Sequence, residues 1–365
     1  MNPTLRIFVF FLSISAAGFV SAADYPPPTE GDYTIRDFKF ASDETLPELR
    51  LHYRTLGKLE KDTQGKTTNA VLIMHGTTGS GAQFIRSEFA GELFGKGQPL
   101  DATKFFIVLP DGIGHGKSSK PSDGMHAKFP PYGYIDMVEA DYRLLTAGLG
   151  VNHVRLVMGT SMGGMHTWVW GELHPDFMDA LMPLASLPTQ ISGRNRAWRR
   201  MVIDAIRNDP AWNNGEYKTQ PPSLRTAAEM LWFMSSNPIL RQKDAPTLSQ
   251  TDEVLDKFVE QIVRTDDAND VLYALEASHD YDPGPSLEKI QAPLLAINFA
   301  DDLINPPELG ILEREIKHVP HGRATVIPFS DKTRGHGSHT LATLWKDQLM
   351  ELLKETESKS TTQSP

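Results

Sequence analysis

The stretch "LVMGTSMGGMHTW", residues 156–168, sets one serine, Ser161, among glycines directly after a hydrophobic run. Such a serine can be a nucleophile, part of a phosphate cradle, or a residue of an ordinary tight turn. Gly159-Thr160-Ser161-Met162-Gly163 fits G-x-S-x-G, and the helical run "GGMHTWVWGELH" follows it. In a strand-to-helix elbow the two glycines are needed because the turn is strained and neighbouring backbone passes very close, leaving the serine side chain exposed above a sheet. Five-residue motifs recur by chance, so the surrounding chain has to decide.

"AVLIMHG" from Ala70, "FFIVLPDG" from Phe105, "VRLVMGTS" from Val154, "ALMPLAS" from Ala180, "PLLAINFAD" from Pro293 and "ATVIPFSD" from Ala324 are short, nearly continuous apolar runs. Runs of this kind suit strands buried on both faces of a parallel sheet. Helical stretches separate them. In "YIDMVEADYRLLTAGLG", Ile135, Val138, Tyr142, Leu145 and Leu149 keep a three-to-four-residue spacing, and Gly150 closes the last turn. Upstream, "DYTIRDFKF" and "LRLHYRTLG" alternate with period two, as half-exposed antiparallel strands at a sheet edge do. The pattern predicts an α/β fold: a mostly parallel sheet with right-handed crossovers, helices on both faces and an inserted, mainly helical lid.

The expected boundaries are a signal peptide over 1–23, core over 24–188, lid insertion over 189–285, core again over 286–355 and a disordered polar tail over 356–365. The leader reading rests on Arg6 followed by "IFVFFLSISAAGFV" and then "SAAD", which offers small residues for cleavage. The apolar stretch falls short of the roughly 20 residues a membrane span needs. The expected location is therefore secreted or periplasmic, without stable membrane insertion after cleavage. A formal net charge of -10 over 365 residues argues against general affinity for nucleic acid. The chain contains no cysteine, which excludes disulfides, a thiol nucleophile and thiolate metal sites.

"LPDGIGHGKSS" superficially resembles a phosphate-binding loop, but Asp111 stands where the motif requires its first glycine. A carboxylate there would repel phosphate. Ser161 needs a base, and the base needs an orienting group. "FADDLINPP" places Asp301 and Asp302 after one apolar run, and "TRGHGSHTL" places His336 and His339 after the next. The order Ser, Asp, His is that of α/β-hydrolases, and all three lie past strand C-termini, where open sheets build their sites. Asp301, first off its strand, is the expected acid, with Asp302 facing solvent or capping. His336, between two glycines, is the expected base. A zinc reading of His336-x-x-His339 is disfavoured because a zinc hydrolase needs no serine elbow. No cofactor and no metal are expected. The Met162 backbone N–H, with that of Thr77 in "IMHGTTGSG", is expected to hold a developing oxyanion, while His75 supports the loop.

From about Asp32 onward the chain resembles the homoserine O-acetyltransferase-like branch of the α/β-hydrolase superfamily. The matching pieces are "HGTTGSG", "KFPPYGYIDMVEADYRLLTAGLGV", "GTSMGGM", "AIRNDPAWNNGEY" and "GHGSHTL". The resemblance implies Ser161 as nucleophile, Asp301 as acid and His336 as base, in a ping-pong transfer through an acyl-serine. The lid segment "AEMLWFMSSNPILRQ" lacks the Tyr-Arg-Ser of the acetyltransferases. That departure and the leader favour water as acceptor, so the expected activity is an exported serine hydrolase cleaving carboxylic esters of small molecules. The alternatives are an O-acyltransferase using an alcohol or amino-acid hydroxyl, and a non-catalytic binding protein on the same scaffold. A homodimer is left open. Trp198, Trp212, Trp232 and Phe233 are expected either to line an acyl site or to pack the lid, and Arg194, Arg196 and Arg199 to lie on a solvated helix face.

Overall fold

The structure, a computed structural model, describes residues 25–361. The leader expected over 1–23 lies outside them. Eight strands form one sheet: β1 Thr29–Lys39, β2 Thr45–Leu56, β3 Ala70–Met74, β4 Phe106–Pro110, β5 Leu156–Thr160, β6 Leu181–Leu184, β7 Leu294–Phe299 and β8 Gly322–Ile327. Their order is β1-β2-β4-β3-β5-β6-β7-β8. β1 pairs antiparallel with β2, and β2 antiparallel with β4, whereas every neighbour pair from β4 to β8 is parallel.

Every residue of β3, β4, β5, β6 and β7 is buried, as continuous apolar runs require. β8 departs from its expected burial: only Ile327 in it is buried and Val326 is exposed, because β8 closes the sheet and has a neighbour on one side only. From β3 the chain steps outward to β4 and then returns to place β5 on the opposite side of β3. Ligand crevices open where strand order reverses in this way. Here the reversal brings the ends of β3 and β5 together, with Met74 registered against Gly159.

Helix α1 (Tyr134–Arg143) continues through a wider turn at 144–148 and ends near Gly150, whose φ of +67° is left-handed. Val138 and Leu145 of its predicted stripe are buried, but Ile135 is exposed at the first turn. Helix α2 (Met162–Leu173) is buried nearly all round and carries Trp168 and Trp170 into a core that includes Phe38, Leu72 and Met137. The opposite face of the sheet packs Ile107 and Met158 against Phe84, Phe89 and Trp345.

Between β6 and β7 the chain inserts α3 Gly193–Arg207, α4 Ser223–Ser235, α5 Pro238–Asp244, α6 Leu248–Thr265 and α7 Ala268–Glu276. Helices α3, α4 and α7 share an apolar centre of their own, with Trp198, Val202, Ile206, Leu224, Leu272 and Leu275. Hydrogen bonds join the insertion to the core, including Ser122 N and Oγ to Asp270 at 2.9 and 2.6 Å and Tyr134 N to Asp280 at 2.9 Å. Of the tail expected to be disordered over 356–365, residues 362–365 lie outside the described residues, and 356–361 prolong the final helix, α8 Lys346–Thr361, in which Thr356 is buried and its hydroxyl donates to Leu352 O at 2.9 Å. Leu349, Leu352 and Leu353 anchor this helix to the sheet, which explains why polar composition misled. Among the described residues no helix is long and apolar enough to cross a membrane.

Candidate active site

Ser161 sits between β5 and α2 with φ 55° and ψ -111°, a strained conformation for a residue bearing a Cβ. Its strain is held by packing on all sides. A Cβ on Gly159 would overlap the Gly163 carbonyl, and one on Gly163 would overlap the Met74 carbonyl of β3. Ser161 N donates to Leu184 O of β6 at 2.9 Å, and Ser161 O accepts from Met165 N in the first turn of α2. The glycines of G-x-S-x-G are therefore required by close backbone approach.

His336 Nε2 lies 2.8 Å from Ser161 Oγ, and His336 Nδ1 lies 2.8 Å from Asp302 Oδ2. The expectation that Asp301 would face the imidazole is corrected here. The chain turns immediately after β7, with Asp302 N donating to Phe299 O at 3.2 Å, so the second acid folds back under His336. Asp302 also accepts from Ile304 N at 2.8 Å, from Asn305 N at 3.2 Å and from Asn305 Nδ2 at 3.1 Å. Burial by itself would raise the Asp302 pKa, but the neighbouring His336 charge and hydrogen bond, with the bonds from Ile304 and Asn305, outweigh it and hold the carboxyl below its usual range. An ionised Asp302 takes the Nδ1 proton as its donor, which leaves Nε2 free to accept from the serine hydroxyl.

Asp301 points elsewhere. Its Oδ2 accepts from Gly335 N at 2.8 Å and from the side-chain amide of Asn237 in the insertion. Sequence reasoning overlooked Asn237 and Asn305. The spacing Asp302-x-x-Asn305 carried a signal, since Asx residues close local turns.

Beside the serine, a Cβ on Gly76 would stand 3.4 Å from Ser161 Cβ. The Gly76 carbonyl is held by two donors, Gly79 N at 3.0 Å and His75 Nδ1 at 2.8 Å. Gly112 N donates to His75 Nε2 at 2.9 Å, which fixes the neutral tautomer, and burial lowers the pKa of this ring. Because the peptide is trans, the Thr77 N–H points away from those donors. Met162 N opens α2 and so has no acceptor within its own helix.

Asp111 fills the loop that resembled a phosphate cradle: its carboxylate accepts from Arg54 Nη1 at 2.9 Å, Gly81 N at 2.8 Å and Lys117 N at 2.9 Å. A cavity of about 700 Å³ opens next to the Thr77 turn, between Thr78, Gly79 and Lys120 of the core and Arg264 and Asp270 of the insertion. His339 is buried and its ring centre is 5.2 Å from that of His336; burial first, and then the adjacent imidazole, push its pKa down to about 3. No group of three or more His, Asp or Glu side chains with metal-holding geometry occurs among the described residues.

In the insertion, Trp198 belongs to the apolar centre and Trp212 packs against it, donating to Asn269 Oδ1 at 2.7 Å. Trp232 lies under Arg241, and Phe233 is exposed. Arg194 and Arg196 are exposed as expected, but Arg199 is buried, with Nε donating to Asn195 Oδ1 at 3.1 Å and the guanidinium over the Trp198 ring.

Sheet order, elbow and strand-end cluster together define a class, and comparison with known proteins agrees: residues 69–328 match the alpha/beta hydrolase fold family, to which this chain belongs. A probable acyltransferase of Methanothermobacter thermautotrophicus is 30% identical over 77% of this chain and 85% of its own length. The homoserine O-acetyltransferase of Trichormus variabilis is 30% identical over 74% of this chain and 79% of its own. The crystal structure of esterase E22 superposes with a TM-score of 0.78 at 18% identity, covering 90% of this chain and all 100% of that one. Within the family, the chain falls in the homoserine O-acetyltransferase-like branch, and it is an enzyme of the α/β-hydrolase type.

Proposed function

We propose that the protein is an exported serine hydrolase that cleaves carboxylic esters through an acyl-enzyme. The observation that carries this reading is the unbroken chain of 2.8 Å hydrogen bonds from Ser161 Oγ through His336 to Asp302. His336 Nε2 takes the hydroxyl proton as Ser161 Oγ bonds to the ester carbonyl carbon, and Asp302 stabilises the resulting imidazolium. The Thr77 and Met162 amides hold the oxyanion, each worth roughly 3 to 4 kcal/mol of barrier. As the carbon–alkoxide bond breaks, His336 returns the proton to the leaving alcohol. Water then attacks the acyl-serine, giving its proton to His336, and the acid departs as Ser161 regains its hydrogen. Export rests on the leader-like segment before residue 24.

The second reading is an O-acyltransferase of the same chemistry, in which an alcohol or amino-acid hydroxyl replaces water. The 30% identical acyltransferase and homoserine O-acetyltransferase favour it. The missing Tyr-Arg-Ser in the insertion favours water. Product partitioning decides: p-nitrophenyl acetate is supplied with and without homoserine or serine, and both nitrophenol and the acyl product are followed. Free acetate as the sole product, absent in Ser161→Ala, is the expected result, whereas acetylated amino acid as the main product overturns hydrolysis in favour of transfer.

A further inference from the structure

Three segments distant in sequence meet beside the base. They are the turn after β7, the start of α5 in the insertion, and the loop leading into His336. Asp301 Oδ2 accepts from Gly335 N at 2.8 Å and from Asn237 Nδ2. Asn237 uses its other side-chain atom to cap α5, with Oδ1 accepting from Ile239 N at 2.8 Å and Leu240 N at 3.1 Å. Gly335 has a left-handed φ of +60°, and a Cβ there would lie 3.3 Å from Asn237 Cβ, Asn237 N and Asp301 O. All three groups are thus packed to contact, and the next residue in the chain is His336.

Besides the bonds of its ring to Asp302 and Ser161, the His336 loop is tied mainly within itself. Arg334 N donates to Ser338 Oγ at 2.7 Å and Ser338 N to Gly335 O at 3.1 Å, but both bonds lie within the loop and do not fix it to the sheet. Asn237 is 3% exposed, so its amide has no water to replace Asp301. Losing Asp301 leaves the buried Asn237 amide and Gly335 N without their acceptor, and losing Asn237 removes the donor that holds the Asp301 carboxylate against Gly335. A displacement of the imidazole by about 1 Å costs on the order of 100-fold in rate.

We propose that Asp301 and Asn237 are positioning residues, which couple the placement of the inserted helices to the alignment of His336 with Ser161. The inference rests on the serine-hydrolase reading above and gives the second acid of the Asp301-Asp302 pair a separate task. Asp302 takes the imidazole. Asp301 takes the backbone behind it and the insertion beside it.

The test compares Asn237→Ser, Asn237→Ala, Asp301→Ala and the double variant Asn237→Ser/Asp301→Ala. Serine still caps α5 but has no amide to give Asp301, so Asn237→Ser separates capping from the tie. The expected result is a kcat on p-nitrophenyl acetate lowered roughly 10- to 100-fold in each single variant with KM nearly unmoved. Asn237→Ser, which keeps the cap, loses less Tm than Asn237→Ala, while the double variant loses no more rate than Asp301→Ala alone. A wild-type kcat in Asn237→Ser, a kcat that follows Tm across the two Asn237 variants, or losses that multiply in the double variant each overturn the proposal. The low-field proton resonance of His336 Nδ1–H against Asp302 gives a second readout independent of turnover. It shifts in Asn237→Ser if the tie aligns the ring, and an unchanged resonance contradicts the proposal. Wild-type protein without esterase activity would overturn the hydrolase reading, and the resonance would still test the tie.

Discussion

The elbow carrying Ser161 and the loop carrying His336 meet at 2.8 Å but are held there by different means. The elbow is fixed by backbone from three strands, with glycines at each close approach and no side-chain bond required. The base loop depends on side chains from outside it, Asp302 to the ring and Asp301 with Asn237 to Gly335. A serine held this way is resistant to change except at its glycines. An imidazole held by side chains is open to adjustment at each of them.

The largest expected effect sharpens the elbow side of the comparison. Ser161→Ala should fold with Tm unchanged yet lose roughly 10⁶-fold in kcat, checked by nitrophenol release and thermal melting. Next comes the base side: Asp302→Asn should cost about 10⁴-fold by leaving the imidazole in the wrong tautomer, far more than Asp301→Asn. A larger loss at Asp301 would reverse the assignment of the acid. The same variant has a pH signature. Because the folded state holds Asp302 below the usual carboxylate range, it contributes stability above about pH 4 that is lost as pH falls toward its folded value. Melting curves should therefore show the wild-type advantage over Asp302→Asn shrinking in acid.

Gly163→Ala tests the elbow without touching the reacting groups. The added methyl meets the Met74 carbonyl, backbone that cannot swing away, so a stability loss of roughly 1 to 3 kcal/mol and a fall in kcat are expected in denaturant melts and assays. Wild-type behaviour would show that the elbow is less tightly determined than its contacts imply. The smallest effect lies away from both regions. Asp141 on α1 is fully buried, Oδ1 has no partner, and burial pushes its pKa up to about 8. The unfolded chain ionises this group near pH 4 while the folded protein keeps it protonated, so stability is lost between those values as pH rises. Asp141→Asn should gain Tm relative to wild type progressively from pH 5 to 8, and a pH-independent difference would contradict this.

The α/β class, the six apolar strands and the elbow were legible because each is written in local pattern: continuous apolar runs for buried strands, glycines at fixed offsets for close approach. The placement of Ser161 beside His336 followed from strand ends in sequence order. Which carboxylate faces His336 was not legible, since Asp301 and Asp302 differ by one position in a turn whose direction is set by the Asp302 N to Phe299 O bond. Asn237 lies 64 residues from its partner Asp301, with no periodic pattern to link them. Arg199 and the 356–361 segment share one reason: polar residues predict solvation, yet Trp198 covers one and Leu352 and Leu353 carry the other onto the sheet. The exposed face of β8 was hidden too, because an apolar run does not say whether its strand has one neighbour or two.

The most direct test is to trap the acyl-enzyme: protein mixed briefly with p-nitrophenyl acetate, quenched in acid, digested and mapped by mass spectrometry. An acetyl adduct on the Ser161 peptide, forming about 10⁴-fold more slowly in Asp302→Asn than in wild type, is the predicted result. An adduct on any other residue, or formation at an undiminished rate in Asp302→Asn, would contradict a nucleophile activated through His336 and Asp302.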